Sequence, residues 1–270
     1  MSGAVSYERV RDHLGRLKMD GALLALDDVL ERGQKEERLP VEVLDTLLER
    51  EVNARFEKRV RTYLTLSGLP VQKRLEDFDY EAQPQVARDV IEELSTLRFL
   101  HNGENVLFLG PCGVGKTHLA IGLALKAIER GHRVYFLTLH DLVTKSRLAR
   151  ERNWAGRLIS TILRADLFVL DELGFQPLEP GDATFLFEVV NKRYQHQKST
   201  IVTSNKSFGQ WGDTFPDTTL AVALLDRLLH HATTVNIRGE SYRLKNRREA
   251  GLIGTLGASS GDEAGKPKSG

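Results

Sequence analysis

Residues 110–117 read Gly110-Pro111-Cys112-Gly113-Val114-Gly115-Lys116-Thr117, a full match to G-x-x-x-x-G-K-[ST]. Glycines at these places let the backbone wrap an anion without Cβ clashes. The amides of such a loop, and the helix end behind it, then offer donors and a positive dipole to phosphates. Lys116 would set a point charge at the β and γ oxygens, and the Thr117 hydroxyl would ligate Mg2+. With His118 just inside the following helix, this stretch is the expected seat of a nucleoside triphosphate. A glycine-rich turn could match by accident. The context argues otherwise: an apolar strand at 106–109 precedes the loop and a helical pattern at 118–126 follows it.

A second apolar strand, 167–170, ends in Asp171-Glu172. An acid pair at a strand tip downstream of such a loop is the expected partner half of the site. Asp171 would hold the magnesium through water, and Glu172 would polarise the attacking water. GTPases built on the same loop usually lack the adjacent glutamate, so the pair points to ATP hydrolysis. The competing account is two surface acids at a strand end. A third strand, 200–203, leads into Ser204-Asn205. Lying between the other two, it would deliver Asn205 beside the γ-phosphate to orient the water, although Ser-Asn also simply opens a turn. Lys116, Asp171, Glu172 and Asn205 are therefore the catalytic candidates, with Thr117 and Asp171 as metal ligands.

The elements that must position these groups are legible as periodicity. Short β-branched runs at 106–109, 134–137, 167–170, 200–203 and 235–237 alternate with helical stretches, which predicts a parallel sheet covered on both faces. The expected fold is α/β: a five-stranded parallel sheet sandwiched by helices over residues 76–250, with the loop-bearing strand central. The first 75 residues read instead as a small all-helical domain. Val10, Leu14 and Leu17 share one helix face. Leu44, Leu48, Val52, Phe56, Val60 and Leu64 mark another, begun at Pro40 and stopped at Gly68 and Pro70, with a solvated connection at 33–38. Residues 251–270 carry no periodicity and read as a disordered tail.

Composition sets outer bounds. Of the 270 residues, 41% are hydrophobic and 28% charged, the balance of an ordinary globular chain. No apolar run reaches the roughly 18 residues of a membrane span, and the start lacks a basic segment followed by an apolar one. One cysteine, Cys112, excludes an internal disulfide framework and suits a reducing cytoplasm. The net charge of +1 does not by itself announce a nucleic-acid partner.

Strand, loop, acid pair and polar strand end, in that order, resemble the AAA+ superfamily. More narrowly the chain resembles the IstB family of transposition helper ATPases, relatives of the DnaC helicase loader. The resemblance rests on residues 110–119, Leu170-Asp171-Glu172-Leu173-Gly174, Thr203-Ser204-Asn205, residues 225–232 and 239–245, and residues 75–79 ahead of the core. It covers about 10–250. It implies that Arg227 is an arginine finger reaching the γ-phosphate of a neighbouring copy, hence a homo-oligomer with shared ATP sites. The alternative is a local Asp226–Arg227 pair on the wet face of a helix. Arg243 is similar to the second sensor arginine, with a DNA contact as its rival, and Phe78 and Tyr80 fall where adenine would pack, with a plain core role as the alternative. Where many relatives carry proline or glycine, this chain has Cys112, at an unconstrained position open to thiol reagents.

The resemblance also assigns a basic stretch. Lys145, Arg147, Arg150, Arg152, Arg157 and Arg164 carry only Glu151 among them from 142 to 165, and Arg238, Arg243, Lys245, Arg247 and Arg248 form a second run. In the related proteins the first region tracks nucleic acid. A solvated helix face is the plain alternative. The function implied is an ATP-dependent regulator that binds DNA largely without reading sequence, assembles there, and recruits a transposase. A replicative helicase loader is the runner-up, and a small-molecule kinase lacks support from the acid pair. No membrane partner is expected.

Overall fold

The computed structural model describes residues 2–239, 241 and 242. Five strands, β1 (Asn105–Leu109), β2 (Val134–Thr138), β3 (Leu167–Leu173), β4 (Ser199–Ser204) and β5 (Ala232–Asn236), pair in parallel in the order β2-β3-β4-β1-β5. The acid strand β3 and the loop strand β1 therefore flank β4, the strand that leads into Asn205. The expected central place of β1 is corrected: β4 takes the middle, and β1 lies beside the edge strand β5. β5 joins outside β1, residue for residue from Asn105↔Ala232 to Leu109↔Asn236, which keeps β1 interior, while β2, β3 and β4 all lie on its other side and so place β4 in the middle.

Successive residues of each strand point to opposite faces, and both faces are dry. Val106, Phe108, Phe136, Val169 and Ile201 join one cluster with α4 (Arg88–Ser95), α5 (Arg98–Asn102) and α6 (Lys116–Glu129). Leu107, Leu109, Phe168, Leu170 and Val202 join the other, with α7 (Leu139–Glu151), α8 (Ala155–Arg164), α9 (Pro180–Gln195) and α10 (Thr218–Leu229). This two-sided burial explains why the strands read as unbroken apolar runs. Local signals set the helix starts. Thr138 and Asp141 form a reciprocal capping box at α7, Pro180 opens α9, and Asp217 accepts from the Thr219 amide at α10.

The N-terminal region folds as α1 (Ser2–Arg16), α2 (Asp20–Lys35) and α3 (Pro40–Leu66), around a small cluster of Leu14, Ala22, Leu26, Val29 and Leu47. Buried Glu51 of α3 accepts from the Gly21 and Ala22 amides at the start of α2 and pairs with Arg55. The first half of α3 does not bury the face expected from its spacing. Leu44, Leu48 and Val52 are exposed, because Leu47 and Glu51 face α2 instead. Its second half behaves as expected: Val60, Tyr63 and Leu64 pack against the core of the sheet domain. One helix thus serves both regions, and the chain leaves it along the sheet edge, where the Phe136 amide donates to Ser67 O at 2.7 Å. Among the described residues no helix is long and apolar enough to cross a membrane.

Candidate functional site

The loop between β1 and α6 is shaped by close backbone approaches. Gly110, at φ 146°, leaves a hypothetical Cβ only 2.0 Å from Ile237 O, so no other residue fits there. Gly115, at φ 96°, caps α6, and a Cβ on it would stand 2.5 Å from the Phe78 ring. Behind the loop α6 is nearly all buried, so its N-terminus is held rigidly with its amides facing the loop. Lys116 folds back over the loop, donating to Gly110 O at 2.7 Å and Pro111 O at 2.6 Å.

The acids meet this loop as their spacing suggests. Asp171 is 4% exposed, and both of its oxygens accept from the Thr117 hydroxyl, at 2.9 and 3.1 Å. The register of β3 against β4 runs Leu170↔Val202 but Leu173↔Ser204, so β3 carries one extra residue at the acids. This bulge leaves Glu172 exposed at φ 64°, a left-handed conformation uncommon for a glutamate. Asn205 lies across from the loop: its Nδ2 is 3.9 Å from Cys112 Sγ, and its Oδ1 is buried without a hydrogen-bond partner. An orphaned acceptor of this kind marks a place where a polar ligand or water belongs.

A cavity of about 570 Å³ opens beside the loop, lined by residues 113–118 on one wall and by Pro70, Val71, Phe78, Gln83 and Tyr242 on others. Its size suits a nucleotide-scale ligand. Phe78 is brought there, edge-on to His118, whose Nε2 lies 2.7 Å from Arg74 O. Tyr80 is not. It lines a separate cavity with Arg88 and Glu92, although its ring packs against Phe78. The amide of Tyr242 donates to Gly113 O, so the chain beyond β5 lies over the loop. Arg243 falls outside the described residues, as do Lys245, Arg247, Arg248 and the 251–270 tail.

Thr117 and Asp171 together offer hard oxygen donors, which suits magnesium rather than a soft metal. Among the described residues no cluster of three or more His, Cys, Asp or Glu could hold a metal alone.

Two groups of candidates have duties elsewhere in the fold. Arg227, on α10, donates from Nε to Asn191 Oδ1 at 2.7 Å and from Nη1 to Ala223 O at 2.9 Å, with its guanidinium over the Phe187 ring. In the basic stretch, Arg147 and Arg150 both pair with Asp182, a carboxylate at the first turn of α9 whose side chain is fully buried. Arg147 also reaches Glu179 at 3.0 Å. Lys145 and Arg152 are exposed, and neither forms an ion pair with an acid among the described residues. Spacing alone missed Asp182 and the Pro70-Val71 wall, because neither belongs to a recognisable motif, and it gave Tyr242 no role within the 239–245 block. Thr203 was noted only as part of the Thr203-Ser204-Asn205 motif, with no role of its own.

The geometry can be set beside known proteins. The sequence profile of the IstB-like ATP binding protein family matches residues 12–250. Over 240 residues the chain is 44% identical to the insertion sequence IS21 putative ATP-binding protein of Pseudomonas aeruginosa, covering 89% of this chain and 90% of that protein. Over 207 residues it is 45% identical to the insertion sequence IS5376 putative ATP-binding protein of Geobacillus stearothermophilus, covering 77% and 82%. In fold it is similar to AMPPCP-bound DnaA from Aquifex aeolicus, with a TM-score of 0.53 at 20% identity over 70% of this chain and 58% of that one. It is similar also to DnaI, with a TM-score of 0.54 at 18% identity over 62% and 91%.

Proposed function

We propose, since the chain belongs to the family of IstB-like ATP binding proteins, that it is a magnesium-dependent ATPase of an insertion sequence, which assembles on DNA and recruits and activates a transposase. The observation that carries this reading is the convergence of three strand ends: the loop after β1, the acids of β3 and Asn205 after β4. The insertion-sequence relatives favour a transposase over a replicative helicase as the partner.

The roles follow from the chemistry of each side chain. The loop amides and the end of α6 bind the triphosphate, and Lys116 exchanges its two carbonyls for phosphate oxygens. Thr117 and Asp171 would hold magnesium, which supplies charge neutralisation at the phosphates. Glu172 takes the proton of the attacking water as general base. Asn205 offers the water its unpartnered Oδ1. Arg227 acts on a site in a neighbouring copy, leaving Asn191 to do so; such fingers are worth roughly 10³–10⁵ in rate in other NTPases. Lys145 and Arg152, with Arg147 and Arg150 beside them, face DNA phosphates, and the N-terminal helices dock the transposase or the adjacent subunit.

The test measures ATP binding and hydrolysis by the purified chain with and without duplex DNA. Wild type should bind ATP saturably and turn it over. Lys116→Ala should lose binding. Glu172→Gln should keep binding, stop turnover and accumulate as a DNA-bound assembly. Absence of saturable ATP binding in magnesium buffer would overturn the reading.

A further inference from the structure

The bulge at the acids needs something to hold it, and the structure shows what does. Thr203 of β4 is 1% exposed and lies across from the acids in the β3–β4 register. Its hydroxyl donates to Asp171 Oδ1 and accepts from the Glu172 amide at 2.9 Å. A hydroxyl has one proton and two lone pairs, so both bonds form at once and each fixes the direction of the other. The Glu172 amide, displaced from the regular ladder by the extra residue, thereby gains an acceptor inside a buried strand end.

We propose that Thr203 is a positioning residue for ATP hydrolysis: one hydroxyl locks the metal-facing carboxylate of Asp171 and the left-handed backbone of Glu172 into a single unit. This deepens the reading above and rests on Glu172 being the group that activates water. Two observations set Thr203 apart from a residue that merely fills the strand. Glu172 stands at φ 64°, where a side chain stays only if its surroundings over-determine it, and the Thr203 bond is on its own amide. Asp171 Oδ1 accepts from two hydroxyls, Thr117 and Thr203. Thr117 is the one a magnesium ion would recruit, so Thr203 keeps the carboxylate aligned when Thr117 turns to other work.

The test compares Thr203→Val, which keeps shape and removes the hydroxyl, with Thr203→Ser, which keeps the hydroxyl. The first readout needs neither nucleotide nor metal. Amide hydrogen exchange at Glu172 should be slow in wild type and Thr203→Ser and at least about tenfold faster in Thr203→Val. The second readout is kinetic. A misplacement of the base by about 1 Å costs on the order of 10² in rate, so Thr203→Val should lose roughly 30- to 100-fold in kcat. Its affinity for a fluorescent ATP analogue should stay within about threefold, and Thr203→Ser should recover most of kcat. If valine does not give folded protein, Thr203→Cys takes its place with the same expectations, since a thiol is a weak donor and acceptor. Unchanged exchange and unchanged kcat in the valine variant would overturn the proposal, as would a serine variant as slow as valine. If Glu172→Gln itself hydrolyses ATP at the wild-type rate, the assignment of Glu172 fails and the catalytic half falls with it. The exchange readout then still decides whether Thr203 fixes the bulge.

Discussion

Replacing Asp182 by asparagine separates the structural from the nucleic-acid duty of the basic stretch. The carboxylate is fully buried and accepts two bonds from Arg147, at 2.9 Å from Nε and 2.6 Å from Nη2, and one from Arg150. It also sits in the first turn of α9, where a negative charge favours the helix. Asparagine keeps the volume and one acceptor but turns the other oxygen into a donor facing a guanidinium. Bonds to charged groups are worth roughly 1.5–3 kcal/mol each. The arginine side chains are 46% and 39% exposed, so water replaces much of what they lose. A net cost of about 2 kcal/mol is expected, which lowers Tm by roughly 4–8 °C in a domain of this size. Differential scanning fluorimetry reads the loss. A melting point within about 1 °C of wild type would refute the claim that Asp182 clamps α7 to α9. The same variant tests the DNA surface. Its local charge rises by one, so if Arg147 and Arg150 contact phosphates, the slope of log K against log salt should steepen by up to about 0.9 for each phosphate added. An unchanged slope would mean that these two arginines serve the fold alone.

Further expectations follow from single contacts. Gly115→Ala sets a Cβ at φ 96° within 2.5 Å of the Phe78 ring, so binding of a fluorescent ATP analogue should weaken at least about tenfold, and wild-type affinity would show that the loop tolerates the side chain. Burial works against the charge of Glu51, but Arg55 and the amides of Ala22 and Gly21 outweigh it and hold its pKa below the ordinary carboxylate value. Its contribution is therefore full above the unfolded value near 4.3 and is lost as pH falls through the lower folded value. Glu51→Gln should accordingly melt earlier than wild type at neutral pH and converge with it as the pH falls below the ordinary carboxylate range. Circular dichroism at several pH values decides this, and a gap that persists in acid would contradict it. Mixing Arg227→Ala, which keeps its own loop, with Lys116→Ala, which keeps its arginine, should restore ATPase activity that neither variant has alone. No recovery would remove Arg227 from a neighbour's site and leave it as the anchor of α10 on Asn191.

How far the sequence foretells the site depends on where each constraint lies. Gly110, Lys116, Thr117 and Asp171 were legible because contiguous residues, the strands and helix around them, and one phosphate-binding chemistry all agree. The position of Asn205 was legible because a strand had to lie between two others, and β4 does. The face of α3 was misread at its first half because Leu44, Leu48 and Val52 repeat as well as Leu47 and Glu51 do. Periodicity records which residues share a face, not which face finds a partner, and here the buried choice falls on Glu51, whose charge is met by amides of α2. Tyr80 was misplaced for a similar reason: proximity to Phe78 in sequence does not say on which side of that ring a neighbour turns. Asp182 left no signal, and Thr203 showed only as part of a motif without a role of its own, because each does its work through groups 31 or more residues away in sequence, Arg150 for the one and Asp171 and Glu172 for the other. Side chains of that kind, ordinary in type and decisive in place, connect the elements to one another. They are what turns a phosphate loop and two acids on separate strands into one site.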